Sequence, residues 1–183
     1  VPPILLPEIR HAISSVKNRT ALGPDRMRSE HLKNLPPVLV STLAQVFSSY
    51  LSECKNPSQW KTSETVLLFE KGDLHDIDNC RPICLLSVVY KLFTRVILNR
   101  INRTLDEGQP CEQAGFRKGF STIDHIQTIT NLTEVSREYK RPLCLNFIDL
   151  KKAFDTTETE AVMEALDGKG VPSQYIKILR ELY

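Results

Sequence analysis

The chain has 183 residues, of which 41% are hydrophobic and 25% charged, with a formal net charge of +2. That balance is ordinary for a globular protein of one or two small domains, and no stretch approaches the roughly 18 uncharged apolar residues of a membrane span. The opening VPPILLPEIR lacks the charged-then-apolar layout of a secretory leader, and the five cysteines (Cys54, Cys80, Cys84, Cys111, Cys144) lie outside any CxxC pair. The expected setting is therefore intracellular, nucleus or cytoplasm, with reduced thiols and neither a disulfide framework nor a zinc site.

Leu6, Ile9, Ile13 and Val16 step at helical spacing and stop before the turn-prone Gly23-Pro24-Asp25. Pro36-Pro37 opens a second helix through Val38, Leu39, Leu43, Val46, Phe47, Tyr50 and Leu51, which ends before Pro57. The short apolar run from Thr65 to Phe69, bounded by Lys71-Gly72-Asp73, predicts a strand and turn. Charge then separates along the chain. Residues 70–78 carry four acids against Lys71, whereas residues 81–103 hold five basic residues (Arg81, Lys91, Arg95, Arg100, Arg103) and no acid. The net charge is too small to point to nucleic acid, but a local basic stripe is the usual footprint of a protein that meets a phosphate backbone.

From Val89 onward, Phe93, Ile97, Ile101 and Leu105 recur every four residues with Leu92 and Val96 beside them, which predicts a helix with one buried face. Lys91, Arg95, Asn99 and Arg103 keep the same step on another face, so cations turn outward. Ser121-Thr-Ile-Asp124 is a capping-box pattern that opens a further helix carrying Ile123, Ile126, Ile129, Leu132 and Val135. After Pro142, the run from Leu143 to Ile148 reads as a buried strand with Asp149 at its tip. Two helices, Thr159 to Leu166 and Pro172 to Tyr183, close the chain around Gly168 and Gly170.

An aspartate at the C-terminal end of an apolar strand sits where ligands commonly bind, and it equally suits the cap of the next turn. Its surroundings favour a ligand. Phe147-Ile-Asp149-Leu-Lys-Lys-Ala-Phe154-Asp155 resembles motif A of reverse transcriptases, and three further segments resemble that family in order. Ala21-Leu-Gly23-Pro24-Asp25 is similar to the loop of the N-terminal extension in non-LTR and group II intron enzymes. Val66 to Asp73, followed by Asn79-Cys-Arg81-Pro82-Ile83-Cys-Leu-Leu-Ser87, resembles the fingers hairpin and first motif. Gln113-Ala-Gly115-Phe116-Arg117-Lys-Gly-Phe-Ser121 resembles the second motif. The wording is closest to RTE-like LINE elements.

The resemblance implies an α/β (α+β) fold, helix-rich with a small, mainly antiparallel sheet, arranged as fingers and a partial palm. By it, residues 1–62 would be N-terminal extension helices, 63–141 fingers, and 142–183 partial palm. It also implies RNA-directed DNA synthesis with two magnesium ions, an RNA template, a DNA primer or target and deoxynucleoside triphosphates. No membrane is involved. Asp149 would be the catalytic metal ligand, with the backbone carbonyl of Leu150 helping to hold the nucleotide-bound ion; such ions take hard oxygen donors. Arg81 and, more weakly, Lys71 would cover the triphosphate, since a planar guanidinium suits phosphate bidentately. Lys71 also reads as a solvated turn residue. Phe154 would screen the sugar 2′ position or else belong to a core. Arg117, Lys91, Arg95 and Arg103 would grip template or duplex phosphates.

Three positions depart from the family wording: Glu70 where lysine is common, Cys80 where tyrosine is usual before Arg-Pro-Ile, and Thr157 where valine is frequent. A carboxylate beside a triphosphate would repel it. No Ala-Asp-Asp strand occurs in the sequence, and the remaining palm, thumb and endonuclease of a polyprotein would be partners. The chain alone is accordingly expected not to polymerise DNA, and an open palm edge should make it self-associate. A non-catalytic, maturase-like RNA-binding module is the alternative reading.

Overall fold

Helices form where the apolar period agrees with the capping residues. The structure, a computed structural model, describes residues 1–183 apart from 74, 111, 112, 114, 116–118, 151, 152, 154 and 155. Helix α1 (Leu6–Ser14) carries Pro7 in its first turn, where a missing N–H costs nothing, and Glu8 Oε2 accepts the Leu5 N–H at 2.7 Å. The turn then tightens, with Val16 N–H donating to Ile13 O at 3.2 Å, so the helix stops sooner than its apolar steps suggest. A short helix, α2 (Ser29–Lys33), follows, and α3 (Pro37–Glu53) begins on proline and ends where Cys54 adopts the left-handed region at φ 52°.

Helix α4 (Val88–Glu107) is the organising element. Ser87 caps it, its Oγ accepting from Tyr90 N at 3.0 Å. A second oxygen arrives from far upstream: Asp25 Oδ2 accepts the Val88 N–H at 2.7 Å, while Asp25 Oδ1 accepts from Met27 N at 3.2 Å. The first N–H groups of a helix have no helical acceptor, so the Gly23-Pro24-Asp25 loop completes the start of α4. The close approach needs glycine. A Cβ on Gly23 would lie 2.2 Å from the Leu86 carbonyl oxygen.

The core gathers on α4, where Leu92, Phe93, Val96, Ile97 and Ile101 are all buried. Helix α1 packs against both α3 and α4, and α3 against α7 (Ser173–Leu182), which in turn contacts α6 (Thr159–Gly168). Phe47 and Tyr50 of α3, Trp60 of a 3₁₀ turn at Ser58–Lys61, and Phe93 of α4 meet edge-on or tilted, the closest pair being Phe47 and Phe93 at 5.0 Å between centroids. Such pairs add about 0.5–1.5 kcal/mol each beyond the area they bury. Distant residues also finish the helix C-termini. Gln174 Nε2 donates to Leu51 O at 2.7 Å and Ser52 O at 3.1 Å, and Lys169 Nζ donates to the Gly108 carbonyl after α4.

Arg100 is the one member of the basic stretch that turns inward. Its guanidinium is bidentate to Glu8 at 2.7 and 2.8 Å and donates to the carbonyls of Pro2 and Pro3 at 2.7 Å each, pinning the first residues to α4. It is occupied with structure rather than ligand.

Strands β1 (Glu64–Phe69) and β2 (Cys80–Leu85) pair antiparallel from Glu64 opposite Leu85 to Phe69 opposite Cys80. The hairpin implied by the motif wording is therefore present. Every residue of β1 is exposed, and Pro82 is tolerated because both strands are sheet edges. Helix α5 (Thr122–Glu138) forms with the expected capping box: Ser121 Oγ accepts from Ile123 N, and Asp124 Oδ2 accepts from Ser121 N at 2.6 Å.

The buried strand expected from Leu143 to Ile148 does not form. The segment is irregular, and Phe147 and Ile148 are each 80% exposed. A strand exists only beside a neighbour that takes its N–H and C=O groups, and the two strands described are taken up with each other. The sheet is thus small and antiparallel, within a helix-rich fold.

Asp25→Ala should lower stability by about 1–2 kcal/mol, read as a fall of roughly 3–6 °C in Tm. Gly23→Ala, with its clash, should cost more. The Arg100 guanidinium holds the Glu8 carboxyl below its ordinary 4.5. A depressed folded-state pKa means that the stabilisation is complete above that ordinary value and is lost as pH falls through the lowered one. Glu8→Gln should therefore lower Tm at neutral pH, and in a melting series the two proteins should converge as pH falls through the lowered Glu8 value.

Candidate nucleotide and nucleic-acid site

The hairpin presents the first group of expected site residues. Its connection is built from Asx-type turns: Asp73 Oδ1 accepts from His75 N at 3.0 Å, Asp76 Oδ1 from Asp78 N at 3.0 Å, and Asn79 Nδ2 donates to Asp73 O at 3.1 Å. Gly72 has φ +101° and lies against Asn79, so the turn following Lys71 depends on glycine. Lys71 is exposed on it.

Arg81 stands on β2 opposite Leu68, with its side chain 62% exposed. Glu70 continues the ladder by donating its N–H to Asn79 O at 3.0 Å, which sets it diagonal to Arg81 on one face of the hairpin. The outcome is an ion pair, Glu70 Oε1 to Arg81 Nη2, at 2.6 Å. The sequence flagged Glu70 as a group that would repel a triphosphate. It did not reveal that Glu70 already holds the guanidinium that would bind one.

Asp149 lies on the irregular segment before α6 rather than at a strand tip. It is exposed, Leu150 is 70% exposed, and no described residue forms a hydrogen bond or ion pair with the Asp149 carboxylate. Carboxylate and carbonyl are donors of the kind magnesium takes, but among the described residues no three His, Cys, Asp or Glu side chains gather to hold a metal. Phe154 and Arg117 lie outside the described residues.

On α4, Lys91, Arg95 and Arg103 are exposed as the helical step requires. Arg103 pairs with Glu107 one turn on, Nε to Oε1 at 2.7 Å. Lys91 and Arg95 have no ion-pair partner among the described residues and remain available to an external anion. A cleft of about 620 Å³ opens beside the Gly23-Pro24-Asp25 loop, lined by Phe47, Tyr50, Trp60 and Met27 among others. Its lining includes neither Arg81 nor Asp149.

Several exposed apolar side chains lie on or next to the motif segments: Leu67 and Leu68 of β1, Ile123 and Ile126 of α5, and Phe147 and Ile148 before Asp149. Exposed apolar side chains of this size favour contact with other protein. Sedimentation velocity should show association that rises with concentration, reduced by replacing Ile123 and Ile126 with serine. Because both side chains are exposed, Tm should change little.

Residues 69–183 match the family model described as "Reverse transcriptase (RNA-dependent DNA polymerase)". The chain is similar to the "Probable RNA-directed DNA polymerase from transposon BS" of Drosophila melanogaster, 30% identical over 183 residues that cover 98% of this chain and 20% of that protein. It is 28% identical over 155 residues to the "RNA-directed DNA polymerase from mobile element jockey" of the same species, covering 83% of this chain and 17% of that one. A third relative, the "Putative 115 kDa protein in type-1 retrotransposable element R1DM" of Drosophila melanogaster, is 30% identical over 177 residues, 93% of this chain and 17% of that protein. The chain spans a fifth or less of the length of these curated relatives.

Proposed function

The chain belongs to the reverse transcriptase (RNA-dependent DNA polymerase) family, and on that premise we propose that it supplies the fingers and the first metal-binding motif of a non-LTR retrotransposon enzyme that copies RNA into DNA. One observation carries the reading: Asp149 offers an exposed carboxylate that no described residue bonds, within a segment worded like motif A. When bound, magnesium stabilises the charge that develops on the attacking and leaving oxygens of nucleotidyl transfer. Asp149 and the Leu150 carbonyl would contribute oxygen ligands, with the rest coming from outside the described residues.

In this reading Arg81 receives the triphosphate and Lys71 assists from the turn, while Phe154 would be the residue that screens the sugar 2′ position. Lys91 and Arg95, unpaired on α4, support a role in gripping template or duplex phosphates. Arg103, tied to Glu107, would do so more weakly, and Arg117 would join them from the second motif. The division into extension (1–62), fingers (63–141) and partial palm (142–183) belongs to the same proposal, as do the placing among RTE-like elements and an intracellular site of action. Among the described residues no helix is long and apolar enough to cross a membrane.

With one matched carboxylate, the chain on its own should give no primer extension. Joined to the reading frame that follows in its gene, it should extend a DNA primer on RNA with magnesium, and Asp149→Asn should reduce that by about a thousandfold or more, since several kcal/mol of charge stabilisation goes with the metal. Extension that survives Asp149→Asn would overturn the assignment.

A second reading, an RNA-binding module without catalysis, is favoured by the free cations of α4. RNA binding by the joined protein, with no extension under any condition, would select it. In either case, replacing Lys91 and Arg95 with glutamine should weaken RNA binding and make its logarithmic salt slope shallower by roughly 1.4.

A further inference from the structure

We propose that Glu70 is a resident counter-ion of Arg81 that a nucleoside triphosphate must displace, so that this one side chain sets how tightly the hairpin binds the nucleotide. The inference rests on Arg81 being the triphosphate residue, as proposed above. Three observations lead to it. Glu70 and Arg81 are diagonal neighbours on one face of a two-stranded ladder, so their side chains are brought together by register rather than by chance approach. The pair is tight, at 2.6 Å. Its members are 47% and 62% exposed, so an anion in solution can reach the guanidinium from outside.

The chemistry makes the two anions rivals. A guanidinium donates to carboxylate and to phosphate along the same edge, and the Glu70 carboxylate beside Nη2 covers part of that edge and offsets its charge. An exposed ion pair is weak enough to be exchanged, whereas a triphosphate brings more charge to the same donors. Displaced, the Glu70 carboxylate stays close by and repels the incoming phosphates. Glu70 therefore pre-orients Arg81 while lowering its affinity.

A merely structural brace makes the opposite forecast. If Glu70 only held the hairpin in shape, its removal would loosen Arg81 and weaken anion binding. If it competes, removal strengthens binding. The sign of one substitution separates the two.

The test is an NMR titration of the ¹⁵N-labelled 183-residue chain with inorganic tripolyphosphate at low salt, following the backbone amides of the hairpin in every variant and the Arg81 side-chain Nε–H where Arg81 is present. Glu70→Gln keeps the backbone bond to Asn79 and should tighten binding by about three- to tenfold, a gain that fades in high salt. Glu64→Gln, at the far end of the hairpin, should leave affinity unchanged. Arg81→Ala should abolish the gain. If binding is lost with Arg81→Ala but Glu70→Gln leaves it equal or weaker, or if Glu64→Gln matches the gain, the competitor role is wrong while the Arg81 reading stands. If tripolyphosphate does not move the Arg81 signal in either the parent or Glu70→Gln, the Arg81 reading itself fails, and this inference with it.

Discussion

The hydrogen bond from Val88 N–H to Asp25 Oδ2 joins two segments 63 residues apart, and the packing of the molecule is arranged around it. It places the loop bearing Gly23 against the backbone of Leu86 and Ser87, where any side chain at position 23 would collide. With that end of α4 fixed, the face carrying Leu92, Phe93, Val96 and Ile97 lies where α1 and α3 close over it and Trp60 completes the aromatic cluster. A loop that reads as a simple turn thus acts as a long-range cap for the most deeply buried helix.

The molecule is uneven in how it uses its apolar residues. The helical core holds its side chains out of water, while the hairpin, α5 and the segment before Asp149 leave theirs in it. The hairpin and the segment up to Asp149 carry residues matched to the family motifs, whereas the matched Gly23-Pro24-Asp25 loop belongs to the packed side. In enzymes, loops and edges bear chemistry because a rigid scaffold positions them, and here the scaffold is α1, α3, α4 and α7. The separation explains how one sequence can have a well-packed interior and an exposed Asp149 carboxylate that no described residue bonds.

Much of this was legible beforehand, and the failures share a cause. The apolar steps marked α3, α4 and α5, and the Ser121–Asp124 capping box is made as written, because those signals are local to the turn that uses them. The hairpin was visible through motif wording, since Pro82 would have argued against a central strand. Where a feature depends on a distant partner, the sequence was silent. The step that turns Arg95 outward leaves Arg100 on the side of Val96 and Ile97, but nothing in the sequence names Glu8, 92 positions upstream, as the partner that holds it there. The run from Leu143 to Ile148 has the composition of a strand, and composition alone does not supply the neighbour a strand must pair with. Glu70 looked like an isolated departure until the register put it beside Arg81.

The C-terminal ends of α3 and α4 are closed by Gln174 and Lys169, residues 123 and 61 positions from the carbonyls they reach. On a ribosome, both helices would emerge with their last carbonyls open and would wait for Lys169 and Gln174 to arrive. Locking of the two helix ends is thus deferred until residues 169–174 are free of the exit tunnel, and before then the face of α3 that α7 covers is open to chaperones or to neighbouring nascent chains.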